Sequence, residues 1–380
     1  MLDLLIFAAF VAVVAILVIW DRKNIRLEGI VIIRRTKRGV SFLDGVAKKR
    51  PRLWKTLSII GVVVAVPAMI FASWFILNSA ASVFMGAGGE GVRLVLPTPA
   101  TEASAPPGFL LVPWYFWVIG IFSLIIPHEA FHGIISRLEG LRVKNVGWLL
   151  LLIIPGAFVE PDEEQLKKAK TSTKLKVYAA GSFANFIMAG VMFMVLMLYV
   201  PATMETTGIL PRGIEAGLPL ANVNASGAIL AINGVQMTSV DIMSQLLEQT
   251  PPNTIVVVEM TSGNYTIQTA AHELRNGSRV GIVGPYFEYR EVKSSLSDMK
   301  PVIFFFGSLF DWILLLNLGV GLVNLLPIKP LDGGLFLEAV TQRFTKRSKF
   351  IVRTVTIIFL FALLFSIFGG YLMNIAGLVV

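Results

Sequence analysis

The chain has 380 residues, of which 55% are hydrophobic and only 15% are charged, and this composition excludes an ordinary soluble protein and predicts an integral membrane protein. It contains no cysteine, which excludes disulfides, thiolate metal ligands and a cysteine nucleophile. The formal net charge of +9 is concentrated in short loops between apolar runs, so we expect the basic residues to face a lipid bilayer and expect no nucleic-acid partner.

Six apolar runs are each close to the length of about 20 residues that a helix needs to cross a bilayer. They are Leu2–Trp20, Leu57–Ile76, Trp114–Ile135, Val177–Val200, Val302–Leu326 and Ile351–Ile375. We expect the first run to remain as a helix rather than to be cleaved as a signal peptide, because its start holds Asp3 without Lys or Arg and no small-residue cleavage site follows it. The predicted fold class is a polytopic α-helical membrane protein with about six transmembrane helices.

The loop between the first two runs is strongly basic, and the positive-inside rule places it in the cytoplasm. Its basic residues are Arg22, Lys23, Arg26, Arg34, Arg35, Lys37, Arg38, Lys48, Lys49, Arg50, Arg52 and Lys55. Within it, Gly29–Ile33 and Val40–Leu43 flank Thr36–Gly39, which predicts a β-hairpin lying against lipid headgroups. The next connection, Asn78 to Pro113, is rich in small residues and proline and is predicted to be a flexible loop on the opposite side.

The third run contains the pattern His-Glu-Ala-Phe-His at residues 128–132. On a helix, His128 and His132 share a face and can bind one metal ion, for which zinc is the natural candidate, while Glu129 lies beside them as a general base for water. A chance pair of histidines is the alternative interpretation. It is disfavoured because the chain has only three histidines. In addition, an ionised group within a membrane costs roughly 2.5–3.5 kcal/mol unless it is paired or binds something.

The connection after the third run returns positive charge to the cytoplasm. Inside it, Val146–Glu160 is apolar, too short to span a bilayer and broken by Gly and Pro, which suits a strand pair at the membrane edge. A helical packing element is the alternative. A substrate unwound into an extended strand could complete the hydrogen bonds of such strands. In the fourth run, Gly181 is expected to allow close helix packing, and Asn185 is expected to hydrogen-bond either across helices or toward the metal.

Residues 201–300 are polar and rich in turn residues, which predicts a separate soluble domain. They are less basic than the cytoplasmic loops and contain sequons at Asn224, Asn264 and Asn276, so we expect an extracytoplasmic domain. His272 lies in this domain and is expected to be an ordinary surface residue.

The fifth run breaks at Pro327, and Asp332 follows shortly after it. Inside–outside alternation places Asp332 at the depth of His128 and His132, which predicts it as the third metal ligand, turned inward by the flanking Pro and Gly residues. A solvated aspartate in a helix-terminating turn is the alternative. A basic loop then precedes the sixth run, so the N- and C-termini are both expected outside the cytoplasm. The active site is expected to lie toward the cytoplasmic side of the membrane.

Two motifs together resemble the paired signature of the site-2 protease family of intramembrane zinc metalloproteases. They are the His-Glu-x-x-His pattern and Asn-x-x-Pro-x-x-x-Leu-Asp-Gly, which begins at Asn324 and reaches Asp332. Gly181–Asn185 is similar to the family's Gly-x-x-x-Asn element, and the basic segment Arg35–Gly39 resembles archaeal members. Residues 213–234 resemble a PDZ domain, which many members insert at this point.

The resemblance implies that His128, His132 and Asp332 bind one zinc ion per chain and that Glu129 is the general base. It further implies that the catalytic set includes two amides that contact the substrate backbone or the developing oxyanion. These amides are Asn324 and Asn185. By the same resemblance, residues 147–160 form a membrane-edge β region that grips substrate, and the PDZ-like α+β domain contacts substrate tails or a regulator.

The expected organisation has four parts. Residues 1–112 hold two transmembrane helices with the basic cytoplasmic hairpin and an outer loop, 113–200 the first part of the catalytic core, 201–300 the PDZ-like domain, and 301–380 the second part of the core with the last helix. The expected function is an intramembrane zinc endopeptidase of the cell membrane that cleaves transmembrane segments of membrane-anchored proteins near the cytoplasmic face. The alternatives are a membrane metal transporter and a catalytically silent PDZ-type binding protein.

Overall fold

A computed structural model of the chain describes residues 2–86, 92–99, 105–106, 108–151, 154–271, 278–280 and 282–375. The chain divides into two compact units. One, the helical unit, consists of the residues up to Val195 and from Ser308 onward, and the other, the inserted unit, is Leu196–Gly307. His272 and Asn276, discussed above, lie outside the described residues.

The helical unit is built mainly of long helices with short strands between them, and most strands of the chain lie in the inserted unit. The first elements are α1 (Leu2–Trp20), β1 (Ile25–Glu28), β2 (Val31–Thr36), α2 (Arg38–Lys49), α3 (Pro51–Phe84), β3 (Leu94–Thr98), β4 (Phe109–Pro113), α4 (Trp114–Leu138), β5 (Val143–Leu151), β6 (Ile154–Pro161), α5 (Glu163–Lys168) and α6 (Thr171–Thr203). Next come β7 (Met204–Ile214), α7 (Pro219–Asn222), β8 (Ile229–Ile232), β9 (Val235–Gln236), α8 (Val240–Gln249), β10 (Ile255–Met260), β11 (Gly263–Gln268), β12 (Ala270–Ala271), β13 (Ser278–Arg279), β14 (Ile282–Val292) and a 3-10 helix (Ser294–Met299). The last are α9 (Lys300–Asn324), α10 (Asp332–Phe344) and α11 (Ser348–Ile375).

Five of the helical segments are long and apolar enough to cross a membrane, which indicates a polytopic helical membrane protein. They are Pro51–Phe84, Trp114–Leu138, Thr171–Thr203, Ser294–Asn324 and Ser348–Leu372. They confirm that the second to the sixth predicted runs are helical, each with somewhat different ends. The first predicted run is also a helix, α1, but its apolar part is shorter than these five.

The basic loop contains a hairpin, but not between the strands that the sequence suggested. Strands β1 and β2 pair antiparallel around a two-residue turn at Gly29 and Ile30. Gly29 has φ of +64°, a left-handed conformation that glycine adopts without steric cost.

The predicted strand Val40–Leu43 is wrong, because these residues lie in α2. The apolar side chains of α2 recur at helical rather than alternating spacing, and Leu43 and Ala47 are buried in one cluster with Ile134 and Ile135 of α4. A four-residue apolar run is too short for its period to be identified with certainty from the sequence.

The predicted flexible loop from Asn78 to Pro113 is also wrong in part. Helix α3 continues to Phe84, and β3 then pairs in parallel with β4. Val112 of β4 is fully buried and packs with Phe116 and Trp117 at the start of α4. The apolar residues of β3 and β4 therefore pack against the start of α4 and do not form a flexible loop.

The segment after α4 forms the predicted pair of strands. β5 and β6 are antiparallel neighbours in a four-stranded sheet of order β1-β2-β5-β6, so β6 is an edge strand of this sheet. The basic hairpin and the apolar strand pair, predicted as separate elements, are thus parts of one sheet. This sheet packs against α4 through β6, which brings a strand edge next to the helix that carries the histidines.

The inserted unit is an α+β structure with its own core. Its main sheet has the order β11-β10-β8-β7-β14, with β9 paired to β8. β8 and β9 are joined by Asn233-Gly234, both with positive φ, a dipeptide that favours tight hairpin turns. The fully buried Ile209, Ile229 and Val258 come from three different strands and form the centre of the core.

Charged residues connect α4 to α6 just beyond the end of α4. Lys176 donates to Glu139 Oε1 at 2.7 Å, and Thr173 donates to Glu139 Oε2 at 2.8 Å. Burial alone would raise the pKa of the Glu139 carboxyl, but the hydrogen bonds from Lys176 and Thr173 outweigh it and leave the pKa below its ordinary value.

Replacing Glu139 with Gln should lower the free energy of unfolding by about 1–3 kcal/mol at neutral pH, because Lys176 then loses its charged partner. The depressed pKa of Glu139 means that its contribution is present above the unfolded pKa of about 4.3 and is lost as the pH falls through the lower, folded pKa. Thermal unfolding of both proteins in detergent should therefore differ at pH 7 and converge on acidification.

Glu163→Gln is the matched control, because Glu163 pairs with Lys167 on the exposed surface of α5. This pair should contribute no more than about 1 kcal/mol. An equal loss of stability in both variants would contradict the structural role of Glu139.

Candidate metal centre

The two predicted imidazoles lie on one face of α4 as their spacing requires. His128 Nε2 and His132 Nε2 are 3.1 Å apart. Both side chains are almost entirely buried, with relative exposures of 11% for His128 and 12% for His132. The helical interpretation of the His-Glu-x-x-His pattern is confirmed.

Asp332 reaches the same point from a distant part of the chain. It is the first residue of α10, and its Oδ2 lies 3.4 Å from His128 Nε2 and 3.2 Å from His132 Nε2. The backbone turn between α9 and α10 is tight: a side chain on Gly333 would lie 2.1 Å from the Leu325 carbonyl oxygen. Only glycine fits at this position, which explains why it follows the aspartate.

Helix α6 forms the remaining wall of the centre. Val177, Gly181 and Asn185 are spaced by four residues and therefore lie on one face. A side chain on Gly181 would lie 2.3 Å from His132 Nε2 and 2.5 Å from His128 Nε2. Gly181 was expected to allow two helices to approach each other, but its direct neighbours are the two imidazoles. A residue with any side chain here would collide with the two imidazoles.

The other nitrogen of each imidazole contacts α6. His132 Nδ1 lies 2.7 Å from the Val177 carbonyl oxygen, so Nδ1 carries the proton and Nε2 has a free lone pair. His128 Nδ1 lies 3.2 Å from the side-chain amide of Asn185, whose Oδ1 is buried without a partner among the described residues. Rotation of this amide by 180° presents Oδ1 to an Nδ1 proton and likewise frees Nε2 of His128.

The three facing atoms fit a divalent metal ion. Asp332 Oδ2 is buried and accepts no hydrogen bond from the described residues, although two imidazole nitrogens face it. Ligands about 2.0–2.1 Å from a tetrahedral zinc ion lie about 3.3 Å from each other, close to the three separations here. Three lone-pair donors that converge in an apolar surrounding are destabilising unless a cation lies between them. His128, His132 and Asp332 could therefore hold one metal ion.

Glu129 is turned toward the edge strand of the sheet. Its Oε2 accepts a hydrogen bond of 2.8 Å from the backbone N–H of Val159 in β6. The other carboxylate oxygen receives no hydrogen bond from the described residues. This contact could not be found from residue types, because the donor is a backbone group.

The two predicted amides have different surroundings. Asn185 is fully buried against His128, whereas Asn324 is the last residue of α9 and is only partly buried. Apart from the contact between their Nε2 atoms, the described hydrogen bonds of the two imidazoles are with α6 and not with Asn324. The spacing of Val177, Gly181 and Asn185 was the signal in the sequence that could have placed all three residues beside the histidines.

A helical membrane protein with two buried imidazoles and a carboxylate at metal-ligand distances, next to a glutamate with one unbonded oxygen, has the features of a membrane-embedded metallopeptidase. The sequence profile of peptidase family M50 matches residues 116–367, more than half of the chain. The chain belongs to this family, the site-2 protease family, and membership implies an intramembrane metalloprotease.

A relative from the archaeon Methanocaldococcus jannaschii supports a shared architecture. It is an uncharacterized protein that is 27% identical to this chain over 332 residues, which cover 85% of this chain and 82% of the relative. The similarity therefore extends well beyond the metal centre.

Gly181→Ala should weaken metal binding by roughly 10–100-fold, a loss typical of a disturbed second coordination shell, because the new methyl group would lie between the imidazoles. Metal content after equilibration at a buffered free zinc concentration measures this effect. Gly190→Ala is the matched control, because Gly190 lies in the same helix with no atom near its missing side chain. Unchanged zinc binding in Gly181→Ala would show that the three groups do not form the metal centre.

Proposed function

We propose that the chain is a zinc endopeptidase that cleaves transmembrane segments of membrane-anchored proteins near the cytoplasmic face of the membrane. The observation that carries this proposal is the convergence of His128 Nε2, His132 Nε2 and Asp332 Oδ2 within 3.1–3.4 Å, next to a glutamate. Membership of peptidase family M50 gives the reaction class.

His128, His132 and Asp332 hold the zinc ion in this proposal. Zinc bound there supplies a Lewis acid that polarises a peptide carbonyl and makes water easier to deprotonate. Asn185 is a positioning residue, since its amide, with Oδ1 turned toward His128, fixes the proton of that ring on Nδ1 and the lone pair on Nε2. The carbonyl of Val177 has the same effect on His132.

Glu129 is the proton carrier. The hydrogen bond from Val159 fixes Oε2, and the second oxygen is left to accept a proton from the attacking water. The water oxygen forms a bond to the peptide carbon, and the C–N bond then breaks as Glu129 returns the proton to the departing amine. Asn324 is proposed to contact the substrate backbone at the end of α9.

The edge of β6 is a suitable place for an extended substrate. Ala157 lies two residues before Val159, so its backbone groups point to the same side, away from β5. A substrate segment that unwinds from a helix needs partners for its backbone groups, and an edge strand offers them. The basic residues that follow α4 support a cytoplasmic location for this edge.

The inserted unit is proposed to be a PDZ-like domain outside the cytoplasm that contacts substrate tails or a regulator. Its α+β architecture and the resemblance of residues 213–234 support this assignment.

Glu129→Gln should lower the rate of cleavage of a membrane-anchored test substrate by at least about 100-fold, because the amide cannot accept the proton from water. The zinc content should not change, since Glu129 is not one of the converging ligands. Cleavage assays with purified, zinc-loaded protein in proteoliposomes measure the rate. The exposed Glu164 of α5 provides the control variant Glu164→Gln, and undiminished cleavage by Glu129→Gln would contradict the assignment.

Asp332→Asn should reduce the zinc bound per chain at limiting free zinc, because a neutral amide is a much weaker ligand than a carboxylate. Zinc analysis of the purified variant tests this expectation independently of activity. Asp298→Asn, at an exposed position, controls for the loss of one negative charge. Equal zinc affinity in the two variants would remove Asp332 from the ligand set.

A further inference from the structure

A basic cavity lies in the helical unit, immediately after the apolar helix α1. Its volume is about 440 Å³, within the range of roughly 300–1,000 Å³ for small-molecule sites. The lining residues are Lys23, Asn24, Ile25, Arg26, Ile33, Arg35 and Asn145. They come from the segment before β1 and from strands β1, β2 and β5.

The charge of the cavity is one-sided. Three of the lining residues are cations and two are amides, and none of them carries a carboxylate. The acidic residues nearby are already engaged. Asp21 accepts from Asn24 at 2.6 Å and pairs with Arg34.

Glu28 is similarly engaged with Arg35, at 2.6 Å. Lys23 and Arg26 form no ion pair with the described residues. Arg26 acts electrostatically on Glu28, but neither cation has a carboxylate within ion-pair distance among the described residues. Two positive charges therefore line the cavity without an ion-pair partner, an arrangement that attracts an anion.

The polar groups of the cavity suit a group with several acceptor oxygens. Asn145 donates to Glu160 Oε2 at 2.9 Å with one amide proton and has a second one available. Together with the Lys23 ammonium and the Arg26 guanidinium, it offers hydrogen-bond donors to the several oxygens of a phosphate group.

The position of the cavity favours a ligand at the membrane surface. Helix α1 has no charged residue after Asp3 and ends at the exposed Trp20, a residue type enriched at the membrane–water interface. Lys23 follows three residues later, so we expect it to lie near phospholipid headgroups. We propose that this cavity binds a phosphate group, which belongs either to an anionic phospholipid headgroup or to soluble phosphate.

The test uses the full chain and needs no protease activity. The protein is placed in nanodiscs of phosphatidylcholine that contain a minor fraction of phosphatidic acid, and it is then extracted into detergent. Mass spectrometry measures how much phosphatidic acid remains bound to the protein. In a second arm, detergent-solubilised protein is dialysed against radiolabelled inorganic phosphate. The variant is Lys23→Gln with Arg26→Gln, and Arg35 is left unchanged because it also holds Glu28.

The expected result is enrichment of phosphatidic acid on the unmodified protein and a loss of about five-fold for each positive charge removed. Retention of phosphatidic acid identifies a lipid as the source, and saturable phosphate binding without lipid retention identifies a soluble ligand. The control variant, Arg22→Gln with Lys49→Gln, removes two charges from the same basic loop but not from the cavity. Equal losses in both variants, or no binding in either arm, would overturn the proposal.

Discussion

The structure of the helical unit depends on holding two imidazoles and a carboxylate within 3.1–3.4 Å of one another in an apolar surrounding. Such groups are strongly destabilising when they are buried without compensation. The surrounding backbone is arranged to permit this convergence: Gly181 leaves space between the imidazoles, and Gly333 lets the chain turn tightly beside Asp332. The two glycines are needed for different neighbours: Gly181 leaves room for the imidazole side chains, and Gly333 leaves room for the backbone of Leu325.

Two ion pairs, one in the last turn of α4 and one just beyond it, fix the position of this helix. Arg137 pairs with Asp44 of α2, and Glu139 pairs with Lys176 of α6, so the end of α4 is tied to two other helices. Lys176 directly precedes Val177, whose carbonyl oxygen accepts the hydrogen bond from His132 Nδ1. The ion pair of Glu139 with Lys176 and the contact of His132 with Val177 therefore both hold α4 and the residue that follows it against α6.

The sequence predicts what depends on local spacing and fails where the partner is remote or has no side chain. His128 and His132 follow from the helical period, because residues four apart share a face. Asp332 lies about two hundred residues away, and only the inside–outside alternation and the resemblance of its motif pointed to it. The contact of Glu129 with the Val159 N–H could not be predicted, since every residue has such a group.

The four-stranded sheet connects features that the sequence presents as unrelated. A side chain on Gly147 of β5 would lie 2.1 Å from the Arg34 carbonyl oxygen and 2.6 Å from the ring of Phe158, so this glycine lets the ring lie across β5. The Arg35 guanidinium then lies 5.8 Å from the centre of that ring. Phe158 directly precedes Val159, which binds Glu129. The basic hairpin is therefore a structural part of the sheet that holds Glu129, and its charges cannot be treated as a membrane anchor alone.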